Sequence, residues 1–139
     1  MMDQTESSVT TPISFKELAA SRRAWIDGVL RPWCRQAPRK DLRLAELEWN
    51  DIAGKVDPVK TLWAWAWSRF PEAVHEELGL DETTELTVTL TSGDSITGFV
   101  DARESTNGQL VLWSRDAATN ALQSRGPFSI DDVSSILRA

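Results

Sequence analysis

The sequence predicts an α+β chain: a bundle of three to four N-terminal helices packed on a small closed C-terminal barrel of five antiparallel strands. Two observations carry this. Between Leu86 and Ile136, short apolar–polar alternations are separated by tight-turn residues, the mark of half-buried strands. Before residue 80, apolar residues recur at helical spacing between capping and stop signals. The domain division read from this is 1–12 as a disordered leader, 13–80 as a helical unit and 81–139 as the barrel. The leader is Ser/Thr-rich and carries Asp3 and Glu6, unlike the basic start and apolar middle of a signal peptide.

The first helix has a strong start. Ser14 and Glu17 have capping-box spacing, and Ile13 and Leu18 sit where a hydrophobic staple would form. Phe15, Leu18, Trp25, Ile26, Val29 and Trp33 recur with helical spacing, leaving Lys16, Arg22 and Arg23 mostly outside. Pro32 is expected to kink or end this helix, because its ring removes a donor and clashes one turn back. Residues 37–40 read as a connector.

A second helix is expected over 41–53, with Leu42, Ala45, Trp49 and Ile52 on one face and Gly54 as its stop. Asp57-Pro58 reads as the opening of a third, running through Trp63, Trp65 and Trp67 to Phe70. In a helix Trp63 and Trp67 share a face while Trp65 points nearly opposite, so this element is expected to be central and packed on two sides. A fourth short helix is expected over 71–78, stopped by Gly79.

Strands are expected near 85–91, 95–103, 109–114, 121–129 and 134–138. Asn107-Gly108 signals the hairpin between the second and third. Asp131-Asp132 suits a 3₁₀ turn before the last. Five strands with one such turn late in the order is the layout of SH3-like barrels. Val88-x-Leu90-x-x-Gly93-Asp94-x-Ile96-x-Gly98-x-Val100 resembles the first motif of the Sm-like branch of that fold, in which a second glycine lets the bent second strand cross the barrel corner. Asn107 with Leu110 and Leu112 looks like its third strand, and Arg125-Gly126 followed by Phe128 is similar to the second motif.

In RNA-binding Sm-like proteins an Asp-x-x-Asn loop and an Arg-Gly loop hold a base. That resemblance implies Asn107, Arg125 and Gly126 as candidate loop-binding residues. Gly108-Gln109 after the Asn, and Arg103-Glu104 in the place of an aromatic or apolar residue and an Asp, depart from the pattern. The Rho-binding antiterminator family, also small, acidic and Sm-like, uses its barrel to bind protein, a use that better suits the charge here. The helix-plus-barrel layout also resembles an uncharacterised bacterial family.

Charge is unevenly placed along a chain whose formal net charge is −6. Residues 15–43 hold eight basic residues against Glu17, Asp27 and Asp41, whereas 81–139 hold four basic and nine acidic. Either the two halves attract each other, or the basic segment is a solvated face, or it faces a polyanion through Arg22, Arg23, Arg31, Arg35, Arg39 and Lys40, with Trp33 stacking on a base.

Signals for catalysis are sparse. His75 is the single histidine and reads as a surface or cap residue; Cys34 is the single cysteine, beside Pro32 and Trp33, and reads as a packed thiol. One Cys excludes an intramolecular disulfide, and one Cys with one His gives no metal-ligand spacing. A Cys34–His75 thiolate dyad lacks a recognisable orienting group. The adjacent pairs Glu76-Glu77 and Asp131-Asp132 read as solvated turns. No phosphate-cradling glycine loop and no nucleophile elbow occurs.

The expectation is a non-catalytic cytoplasmic protein that binds another protein through barrel loops or an open strand edge, with no cofactor, no metal and no membrane partner. The alternative is an RNA- or DNA-binding accessory protein working through the basic segment.

Overall fold

A computed structural model describes residues 14–75 and 79–139. The expected leader, Ile13 of the staple and the Glu76-Glu77 pair lie outside the described residues.

The capping box forms as read: the Glu17 N–H donates to Ser14 Oγ at 3.1 Å and the Ser14 N–H donates to Glu17 Oε1 at 3.1 Å. It starts α1 (Phe15–Trp25), which continues through a π-turn (Ile26–Leu30) into α2 (Arg31–Cys34). Pro32 therefore does not end the helix. In the widened turn the Arg31 N–H reaches back five residues to the Ile26 carbonyl, and the ladder enters Pro32 without needing its missing donor.

The expected second helix is two: α3 (Arg39–Leu47) and α4 (Trp49–Ala53), broken at Glu48, whose φ is −113° and ψ 17°. Gly54 stops α4 at φ +88°, a conformation other residues reach only with strain. The tryptophan helix, α5 (Leu62–Trp67), starts four residues after Pro58, because residues 57–61 are held as turns. Asp57 Oδ1 accepts the Val59 N–H at 2.9 Å, and Thr61 Oγ1 donates to the Asp57 carbonyl at 2.8 Å. Trp63 and Trp67 are buried while Trp65, on the other side, is half-buried.

The expected fourth helix is absent over 71–75. A 3₁₀ turn (Pro71–Ala73) leads into a two-stranded hairpin, β1 (Val74–His75) with β2 (Gly79–Leu80). The Asp81 N–H donates to the Ala73 carbonyl at 2.8 Å, so backbone pairing captures this segment.

Five further strands follow: β3 (Leu86–Leu90), β4 (Ser95–Val100), β5 (Gln109–Arg115), β6 (Leu122–Ser129) and β7 (Val133–Arg138), with a 3₁₀ turn at Ile130–Asp132. They form one antiparallel sheet in the order β6-β5-β4-β3-β7. The outer strands β6 and β7 do not pair with each other, so the sheet is open and the expected closed barrel is not formed. β4 pairs with β3 up to Gly98 and with β5 from Phe99 onward. At that bend a Cβ on Gly98 would stand 2.3 Å from the Trp113 carbonyl oxygen, which is why only glycine fits.

One cluster of buried side chains runs from Leu30, Leu42 and Trp49 through Leu62 and Trp67 to Leu86, Leu110 and Ile136, joining helices and sheet in a single core. Polar ties span the same junction. The Arg39 N–H donates to Asp131 Oδ1 at 2.9 Å, Arg39 Nε to the Asn107 carbonyl at 2.7 Å, and the Arg138 N–H to Glu72 Oε1 at 2.7 Å.

Candidate functional site: an apolar helix stripe and a cationic cleft

Two surfaces stand apart from the core. The first is α1 itself, of which no residue is buried. Phe15 is 86% exposed, Leu18 and Val29 are each 53% exposed, and Trp25 and Trp33 are 39% and 40% exposed. Phe15, Leu18 and Trp25 lie on α1, Val29 on the π-turn and Trp33 on α2; spaced three or four apart except across Arg22, they make one apolar stripe along the continuous helix. Arg22 breaks the stripe because its Nη2 donates to the Ile52 carbonyl at 2.9 Å, tying α1 to α4. Lys16 and Arg23 lie exposed on the same helix.

The second surface is a cleft of about 630 Å³ between α2, the start of α5 and the hairpin. Arg31 and Arg35, one helical turn apart, line one wall, and Lys60, Thr61, Trp65 and Ser68 line the other, with His75 at the margin. Arg31 Cζ lies 4.7 Å from the Trp65 ring centroid. Trp65 is itself steadied edge-on by Trp49, with centroids 5.9 Å apart. Arg31 Nε stands 3.3 Å from Asp27 Oδ1, and Arg35 Nε donates to Ser68 Oγ at 3.0 Å. Arg35 is thus held by its Nε, whereas Arg31 Nε is buried with no hydrogen-bond partner and Arg31 rests on the Trp65 ring and its ion pair. The terminal guanidinium nitrogens of both donate to nothing among the described residues. A second cavity of about 620 Å³, walled mainly by Val59, Trp63, Trp67 and Leu80, by Ala102 and Arg103 and by residues 105–108, adjoins the cleft and shares Lys60 and Ala64 with it.

Of the basic residues picked out in sequence, Arg31 and Arg35 meet in this cleft, and Arg39 and Lys40 line a separate, shallower concavity on α3 with Arg43 and Glu46. Arg22 turns to Ile52 and Arg39 to Asn107 and Asp131. Trp33 belongs to the stripe, not to the cleft. The basic segment thus meets the sheet at Arg39 but otherwise neither gathers on one face nor neutralises the acidic strands.

The three candidate loop residues do not come together as one rim. Asn107, at φ +55°, forms the β4–β5 turn and its carbonyl is taken by Arg39. Arg125 and Gly126 lie within β6, where Arg125 faces Leu112. Lys60, Trp65 and Ser68 were missed as site residues, since their nearness to Arg31 and Arg35 arises only when α5 packs on α2. The one available signal was the four-residue spacing of the two arginines.

Cys34 has no exposed surface, and burial, opposed by Arg69 and Arg35, pushes its thiol up to about 12. It supplies no thiolate at neutral pH. Asp81 is covered by its own turn: Thr83 donates through its hydroxyl at 2.6 Å and its N–H at 2.8 Å, and Thr84 Oγ1 at 2.8 Å. These bonds, Thr83's first, hold its carboxyl down at about 2, with His75 Nε2 at 3.3 Å adding a smaller pull. Among the described residues no cluster of three or more His, Cys, Asp or Glu is placed to hold a metal, and no helix is long and apolar enough to cross a membrane.

Compared with known proteins, the chain matches no family model, no curated protein and no solved structure.

Proposed function

We propose that this chain is a non-catalytic protein-interaction module that docks by the apolar stripe of α1 into an acid-rimmed groove on another protein. The carrying observation is a capped, continuous helix from α1 through the π-turn into α2, with five large exposed apolar side chains in one stripe and no buried residue between Phe15 and Trp25. Amphipathic helices draw most of their stability from a packed apolar face, and an exposed stripe of this kind is the anchor pattern of helix-in-groove recognition. Lys16 and Arg23 beside it favour acidic groove walls.

The finer reading of the sheet is an opened SH3-like or Sm-like fold. The order in which its last strand pairs with its first, and the glycine bend in β4, support this. The lone buried thiol fits a cytoplasmic setting, where cysteines stay reduced. The alternative, nucleic-acid binding through the basic segment, draws less support, because Arg22 and Arg39 are turned onto their own chain and the remaining basic residues are split between separate surfaces.

The test compares capture from native lysate by the wild-type chain and by Leu18→Glu/Val29→Glu, two exposed positions whose change leaves the core intact. Loss of specific captured proteins by a variant with an unaltered melting transition is the expected result. Identical capture, a wild-type dimer that the variant dissolves, or binding to anionic vesicles would each overturn the proposal.

A further inference from the structure

We infer that the cleft between α2 and α5 is a binding site for a small phosphate monoester whose apolar or aromatic body extends over Ala64. Three cations, Arg31, Arg35 and Lys60, line one concavity, and among the described residues no carboxylate lines it with them. Asp27 offsets Arg31 from outside, with its side chain 68% exposed. Like charges gathered around a half-enclosed space repel one another, and an anion there relieves that repulsion.

Orientation points the same way. Ser68 Oγ receives Arg35 Nε and donates onward to the Trp65 carbonyl at 2.6 Å, while Trp65 carries Arg31 at 4.7 Å. Arg35 is positioned by its hydrogen bond to Ser68, and Arg31 by the Trp65 ring and the Asp27 ion pair, before any ligand arrives. The paired terminal N–H groups of both are free among the described residues, as is the buried Arg31 Nε. That is the fork geometry that suits a phosphate oxygen pair, and fixing it in advance lowers the ordering cost of binding.

Size selects the class. A cavity of about 630 Å³ is far larger than one inorganic phosphate and falls within the range of small-ligand pockets. Lys60 and Ala64 line both it and the neighbouring, mostly apolar cavity of about 620 Å³, which is also lined by Trp63 and Trp67. A molecule with a phosphate at one end and an apolar body at the other matches both halves.

The experiment titrates the full chain with phenyl phosphate, phenol, inorganic phosphate and a single-stranded thymidine oligonucleotide, read by calorimetry and by the indole N–H resonances. Phenyl phosphate is expected to bind and to shift the Trp65 indole, inorganic phosphate to bind more weakly, and phenol not at all. Arg35→Gln and Lys60→Gln should each weaken phenyl phosphate about tenfold. Lys40→Gln, on α3 outside the cleft, should leave it unchanged. The Lys60 side chain makes no hydrogen bond within the described residues, so its variant keeps the test valid if Arg35→Gln melts early. Equal loss in Lys40→Gln, no binding by about 10 mM phenyl phosphate, or tight binding by the oligonucleotide alone would overturn the assignment.

Discussion

Gly108 packs against the indole of Trp63: a Cβ built on it would stand 2.7 Å from Trp63 Cζ3 and 3.2 Å from Arg39 Cγ. This is where the β4–β5 turn of the sheet meets the tryptophan helix. The same residue has φ +77°, so it satisfies a backbone and a packing demand together.

Gly108→Ala should therefore cost more than a turn glycine alone would. The left-handed conformation contributes about 1 kcal/mol and forced overlap with a buried indole about 1–3 kcal/mol. Gly93 gives the contrast, since at φ +98° its Cβ would meet nothing within 4 Å, and Gly93→Ala should lose only the first contribution. Urea denaturation of the two variants measures the difference. Equal losses would show that the Trp63 contact is readily relaxed.

The strands could be read from the sequence because period-two alternation and turn glycines are local signals. Each strand boundary falls close to its expected place, and the Asn107-Gly108 turn forms where the dipeptide sits. Closure could not be read, because alternation gives the face of each strand and says nothing of whether β6 bends far enough to meet β7. Pro32 and residues 71–75 mislead for related reasons. A widened turn upstream absorbs the proline, and the pairing of Val74 with Leu80 overrides a proline start that suits a helix. Of the cleft, Arg31 and Arg35 are visible in sequence as an i, i+4 pair, but Trp65 reads as core. Its exposed edge exists only because Trp49 and Arg31 cover it from two sides.

Acid should weaken the fold through Asp81. Its carboxyl is lowered from 3.8 to about 2 in the folded chain, so its contribution is complete above about pH 4 and fades as pH falls toward 2. The full shift would be worth about 2.5 kcal/mol, and solvent close to the turn reduces this to about 1–2 kcal/mol. Between pH 5.5 and pH 2.5 the stability from urea denaturation should therefore fall less in Asp81→Asn than in wild type, by about two-thirds of that amount, since about a third of the contribution survives at pH 2.5. An Asp81→Asn profile parallel to wild type across this window would rule out Asp81 as the source.

Cys34 should resist thiol reagents while the chain stays folded. With its thiol pushed up to about 12, only about one in ten thousand is ionised at pH 8, and no surface is open to a reagent. Labelling by a chromogenic disulfide should be negligible in buffer, should follow the rate of opening at intermediate urea, and should be immediate in full denaturant. Stoichiometric labelling within seconds in buffer, with the circular dichroism unchanged, would contradict the burial.

Arg69 is the side chain on which the end of the first helix depends. Its Nη2 donates to the Cys34 carbonyl at 2.9 Å and the Ala37 carbonyl at 2.8 Å, and its Nε to the Ala66 carbonyl at 3.0 Å. Two of these acceptors lie where α2 ends and its last carbonyls have no helical partner. Burial lowers the guanidinium from its usual value, and Asp131, then Cys34, oppose that loss. Arg69→Met keeps much of the stem's packing and removes all three donors, so the carbonyls are left under cover with nothing to bond. The cost should be about 3 kcal/mol, net of the arginine's own desolvation. Arg69→Lys, with one compact ammonium in place of a fork, should recover less than half of it. If Arg69→Met proves as stable as wild type by chemical denaturation, water or a backbone shift serves those carbonyls, and Arg69 is not what ends the helix.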